Sequence, residues 1–271
     1  MLSDNIKKTE GNARFQCRAT YIRGENGERI LSRIEESNRP IYIPESWEKA
    51  GEKRKSRIIA EPEPPEEPDI TGNVPDTDIA NKRRAIRRAS IRCMDLVACN
   101  RFDWFCTLTL DPAICDRKSY SETVEHFGRW ASNGVQRDGL RYVAVPEYHL
   151  DGESIHLHML ATDNLRLTDS GVNQRGKRVY NITNWKWGFT NCKRITGTNS
   201  GIACAKYCLK YMRKQEGQKI GGRYFLCGGD LIRPEYEYAN TPEELNPDGR
   251  EPVWTGEVAG EWGTYKKYSY V

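Results

Sequence analysis

Two short stretches carry residue types that do chemistry. The first is IHLHML, residues 155–160, and the second is AKYCLKYMRK, residues 205–214. On a strand, residues two apart share a face, so His156 and His158 project together, about 6.6–6.8 Å apart along the backbone. Two imidazoles side by side can chelate one divalent metal. Asp151-Gly152 just upstream is a hairpin signal. If it is a two-residue turn, Leu150 faces Glu153 and Glu147 lies opposite His156, on the face of both histidines. A carboxylate and two imidazoles then converge on one point. A longer loop or a bulge near Pro146 would instead offer His149, Asp151 or Glu153 as ligands.

On the second stretch, helical spacing of about 100° per residue puts Ile202, Ala205, Leu209 and Met212 on one side as the core stripe. Tyr207, Lys210, Tyr211 and Lys214, at i, i+3, i+4 and i+7, share the other side. A phenol with a pKa near 10 is a poor nucleophile unless its phenolate is favoured, and neighbouring lysines favour it. With a metal polarising a phosphodiester, the chemistry is tyrosine attack on DNA phosphate, leaving a phosphotyrosine and a free 3′-hydroxyl. A second tyrosine one turn away allows a second transfer without release of the first strand.

The elements that must position these residues are legible in outline. A helix runs from about Asp78 to Cys99, burying Ile79, Ile86, Ala89, Cys93, Leu96 and Val97. FDWFCTLTLDP, residues 102–112, reads as a strand closed by Asp-Pro. A helix follows over Ser119–Asn133, then the hairpin, a loop, and strand-like sequence with Trp185 and Trp187 on one face. The order implies an α+β fold, a mostly antiparallel sheet with helices packed on one face. Residues 1–77 read as an extended N-terminal arm that includes a Pro- and Glu-rich linker (EPEPPEEPDI, Glu61–Ile70). Residues 78–235 read as the catalytic domain and 236–271 as a C-terminal tail.

Composition narrows the class. The 271 residues are 37% hydrophobic and 30% charged, with net charge +4. No apolar run approaches the roughly 18–20 residues of a membrane span, and the N-terminus lacks a signal-peptide core, so a cytoplasmic protein is expected. Nine cysteines without a CxxC pair read as small buried hydrophobes rather than a disulfide framework or a zinc site. His126 reads as an ordinary half-buried histidine. Asn81–Arg101 holds one lysine and six arginines against one aspartate. Arg83, Arg84, Arg87 and Arg88, with Lys206 and Arg213, are candidate phosphate contacts. GVNQRGKR, residues 171–178, resembles a P-loop but ends in Arg178 where the hydroxyl residue belongs, with no apolar strand before it. It reads as a basic loop on the DNA backbone, and no nucleotide cofactor is expected.

Three motifs in order resemble those of the HUH endonucleases, rolling-circle replication initiators of small phages and plasmids. FCTLTLDP (Phe105–Pro112) resembles the first, IHLHML the second, and YCLKYMRK the tyrosine motif in its two-tyrosine form. The likeness is to replication-associated proteins related to the filamentous phage gene II protein. It covers roughly residues 78–234, including the trailing GRYFLCGGDLIRP. The resemblance implies a ferredoxin-like or RRM-like palm, Mg²⁺ or Mn²⁺, and nicking then religation of a single-stranded or hairpin origin. It also implies Glu147 as third ligand and a host polymerase as partner. A separate helicase is expected because no P-loop is present. Both tyrosines precede a lysine by three, so the order of cutting stays open between Tyr207 and Tyr211. Two alternatives are a two-tyrosine transposase and a non-catalytic RRM-like strand binder that uses Phe105, Trp185 and Trp187 for base stacking.

Overall fold

The computed structural model describes residues 12–24, 27–44, 77–197, 200–214, 220–260 and 263–270. The Glu61–Ile70 linker and the Ile79 side chain lie outside the described parts. The chain forms two compact units, one holding Arg23–Glu28 and Pro75–Pro234 and the other holding the remaining N-terminal residues with Glu235–Val271.

The larger unit is a seven-stranded antiparallel sheet. Its strands are β3 (Trp104–Leu110), β4 (Tyr142–Tyr148), β5 (Ile155–Ala161), β6 (Leu167–Gln174), β7 (Lys177–Ile182), β8 (Gly188–Arg194) and β9 (Leu226–Gly228). They lie in the order β6-β7-β8-β3-β5-β4-β9. Three helices accompany them: α1 (Thr77–Cys99), α2 (Tyr120–Asp138) and α3 (Ser200–Lys214).

Strand alternation sorts these helices onto two faces, where the sequence suggested one. Trp104, Cys106, Leu108, Ala144, Leu157 and Met159 point one way and pack on Phe127, Trp130 and Ala131 of α2. Val143, Val145 and Leu160 point the other way, against Ile86, Ala89, Cys93, Leu96 and Val97 of α1 and Ala205, Cys208 and Leu209 of α3. The period of two along β4 and β5 feeds both cores, so a one-faced sheet would strand half of these apolar side chains in water.

Three further expectations change. Residues 167–182, read partly as a loop, form the β6–β7 hairpin. Arg175 and Gly176 sit at its tip with φ of 54° and 76°; positive φ at both central residues is the two-residue hairpin turn that matches strand twist. GVNQRGKR therefore straddles a hairpin tip rather than a loop. Trp185 and Trp187 fall between β7 and β8 rather than on a strand. Trp185 is buried at 7% exposure and meets Trp130 edge-on at 5.8 Å.

The smaller unit replaces the arm and tail of the sequence reading with a sheet. Strands β1 (Asn12–Arg23), β2 (Arg29–Pro44), β10 (Glu235–Ala239), β11 (Trp254–Gly260) and β12 (Gly263–Ser269) lie in the order β10-β1-β2-β12-β11. Cys17, Ala19, Leu31, Ile34, Ala239, Leu245 and Tyr270 form its core. No helix among the described residues is long and apolar enough to cross a membrane.

Candidate functional site

The β4–β5 hairpin keeps the register that a two-residue turn would give, with Glu147 opposite His156 and Val145 opposite His158. The loop is longer than expected, spanning residues 150–153. It is closed by His149 N–H donating to Ser154 O at 2.7 Å. Asp151 Oδ1 accepts from the N–H groups of Glu153 and Ser154 at 3.0 and 2.8 Å, and Gly152 takes φ 72°. The loop lengthens by one residue on each side of the same centre, so the strand pairing is unchanged. Asp151 is thereby occupied within the loop, and Glu153 pairs with Lys118. His149 stays exposed, its ring 5.4 Å from that of His156.

Glu147, His156 and His158 each bring a ligand atom to within 4.8 Å of the others. Glu147 Oε2 lies 3.1 Å from His156 Nε2 and in close contact with His158 Nε2. Burial alone would raise the Glu147 carboxyl; hydrogen bonds from His156 and His158 outweigh it and hold the carboxyl down at about 2. Glu147 and His158 are buried at 8% and 7% exposure. A buried ionised carboxylate beside two imidazoles is a donor set that a divalent cation fits.

A residue that the sequence reading passed over orients this set. Thr107 of β3 pairs with His158 across the ladder, and its Oγ1 lies 3.1 Å from His158 Nδ1. Such a partner fixes the ring and its tautomer. The hint was there in the alternation of FCTLTL, which puts Phe105 and Thr107 on the face away from Cys106 and Leu108. The β3–β5 register is set by long-range pairing, however, and no turn reveals it. Phe105 stacks on His158 with centroids 5.5 Å apart and planes 17° from parallel.

Helix α3 brings the phenol. Ala205, Cys208 and Leu209 bury its core side at 1–3% exposure, which leaves Tyr207 on the edge facing the sheet. The Tyr207 ring meets His158 edge-on at 5.7 Å and Phe105 at 6.0 Å, while the residue keeps 46% exposure. Lys206 and Lys210 are exposed on the same helix. Tyr211, Arg213 and Lys214 lie on its last turn, and their side chains are outside the described residues. On α1, Arg83 and Arg87 are exposed and Arg84 and Arg88 half-buried.

An open cleft of about 570 Å³ lies between the sheet and α3, lined among others by Phe105, Thr107, His158, Arg175, Lys193 and Tyr207. Its walls carry aromatic faces and two cations next to the carboxylate–imidazole cluster. That combination suits a phosphate backbone with stacked bases.

Residues 103–216 match the model of a family described as replication-associated protein, of the ORF2 and gene 2 protein type. Over that segment, which contains β3, the hairpin and α3, the chain is similar to replication-associated proteins, and the match supports a role as a replication initiator. No curated protein and no solved structure matches the chain.

Proposed function

We propose that this protein is a divalent-metal-dependent endonuclease and strand transferase of the HUH type, which nicks single-stranded origin DNA through tyrosine to start and end rolling-circle replication. The observation that carries the reading is the contact of the Tyr207 ring with His158, within a cluster completed by Glu147 and His156. Nucleophile and metal-binding set share one cleft.

Glu147, His156 and His158 would hold Mg²⁺ or Mn²⁺; two imidazoles and one carboxylate suit Mn²⁺ better than the oxygen-seeking Mg²⁺. When bound, the cation supplies Lewis-acid stabilisation of the scissile phosphate. With Nε2 of His158 turned to the cation, Nδ1 carries the ring proton and donates it to Thr107 Oγ1. The Tyr207 phenol gives up its proton and its oxygen bonds to phosphorus. The P–O3′ bond breaks and the leaving oxygen takes a proton to become a 3′-hydroxyl. Lys210, one turn along α3, favours the phenolate. Tyr211 with Lys214 takes the second transfer, by which a 3′-hydroxyl is rejoined.

Tyr207 is the first nucleophile in this account because its ring reaches the cluster. Arg175 at the hairpin tip, Lys206, Arg213 and the α1 arginines 83, 84, 87 and 88 bind backbone phosphate. The strand-binder alternative loses support from Trp185, whose ring is packed on the α2 face and cannot stack on a base. The test is cleavage of a labelled single-stranded origin oligonucleotide with Mn²⁺. Wild type should cut, and cutting should stop with chelator and in His156→Ala. Undiminished cutting by His156→Ala, or in chelator, would overturn the metal assignment.

A further inference from the structure

A second group of metal-ligating side chains lies outside that cleft. Cys115, in the segment joining β3 to α2, and Glu122 and His126, on the first turns of α2, present a thiol, a carboxylate oxygen and a ring nitrogen within 4.8 Å of one another. Zinc bonds of roughly 2.0–2.3 Å require ligand atoms to converge at about this spacing.

Helix capping and an i,i+4 pair account for only part of this arrangement. Ser119 Oγ accepts from Glu122 N–H at 3.3 Å, and Glu122 Oε2 accepts from Asp116 N–H at 3.2 Å. That leaves Glu122 Oε1 facing His126 Nε2 at 3.5 Å, longer than a hydrogen bond. His126 Nδ1 is buried without a hydrogen-bond partner among the described residues, although buried ring nitrogens are normally satisfied. The ring is held in place by Trp187, stacked at 5.1 Å and 20°. Neither cap nor pair explains why a thiol at 6% exposure is set against a carboxylate. Burial first, then the charges of Glu122 and Asp111, holds this thiol above its usual range. A cation would relieve that crowding of negative charge. A depression lined by residues 112–118, Cys115 among them, gives an ion a way in.

We propose that Cys115, Glu122 and His126 form a second cation site, for zinc or a similarly thiol-seeking divalent ion, which pins the β3–α2 segment to α2. Three protein ligands leave the fourth tetrahedral position to water. On binding, the thiol proton is released and sulfur bonds to the metal as thiolate. The ligand types separate the two sites: the Glu147 cluster has no sulfur and suits Mg²⁺ or Mn²⁺, whereas this one has sulfur and suits zinc.

Cobalt(II) added to the full-length, metal-stripped protein tests the assignment. Only thiolate ligation gives an intense near-ultraviolet charge-transfer band, so the Glu147 cluster is silent in this readout. The expected result is a band that saturates at one equivalent, is displaced by zinc, and is absent in Cys115→Ser. His126→Phe, which keeps the stack on Trp187 but removes both nitrogens, should weaken the band and shift its titration to higher cobalt. Zinc should also raise the melting temperature of wild type and of His156→Ala alike, and not that of His126→Phe. A band that survives Cys115→Ser, or wild type that shows neither band nor zinc-dependent melting shift, would overturn the site.

Discussion

Glu147 links local chemistry to stability at the scale of single residues. Its carboxyl titrates at about 2 in the folded chain against an ordinary 4.5. A depressed folded-state value stabilises the fold above pH 4.5, and that contribution is lost as the pH falls through about 2. Urea midpoints of the metal-free protein should therefore drop more steeply between pH 4.5 and 2 for wild type than for Glu147→Gln. Parallel acid limbs would show that the histidines do not hold the carboxylate. The convergence of Glu147, His156 and His158 was legible in the sequence because hairpin pairing depends only on the centre of the turn. Two extra loop residues added symmetrically leave every partner in place. Thr107 was illegible for the opposite reason, since its partner lies 51 positions away and no local signal sets that register. Cys115, Glu122 and His126 are separated by helix formation and a loop, and each alone resembles a core or capping residue.

At the scale of elements, α3 converts packing into placement. Leu209 is 3% exposed and lies against the α1 side of the sheet. Leu209→Ala should cost about 2–5 kcal/mol, read as a lower urea midpoint, and should loosen the seat of Tyr207. Nicking should fall further than the folded fraction does when both are measured at the same temperature. Equal losses would mean that the helix only contributes bulk stability. The stripe of Ala205 and Leu209 was readable from period alone, as was that of Ile86, Ala89, Cys93, Leu96 and Val97 on α1. The two-faced placement of the helices was not, because β4 and β5 are apolar on both faces and alternation there carries no direction. The β6–β7 hairpin was hidden by its polar composition: most of β6 is exposed, so no buried face writes a period into its sequence.

At the scale of the whole molecule, the first and last parts of the chain make one sheet. β1 pairs with β10 and β2 with β12. The signal was faint because the inward positions Cys17 and Ala19 are small, and Arg33, Glu35 and Ser37 are buried polar residues on β2. Hydropathy does not mark such strands; Arg18 and Glu35 are paired instead. Deleting 235–271 would strip three of the five strands and leave β1 and β2 with open edges. The truncated protein should elute as aggregate on size exclusion, whereas an unchanged monomer peak would mean that the segment is a dispensable tail. The act attributed to the whole chain is covalent capture of DNA. The most direct test incubates full-length protein with labelled single-stranded origin DNA and Mn²⁺ and resolves the products on a denaturing gel. Wild type should give a denaturant-resistant adduct on Tyr207, absent from Tyr207→Phe combined with Tyr211→Phe and from His156→Ala. An adduct that persists in the double tyrosine variant, or tight origin binding by wild type with no adduct, would contradict the account.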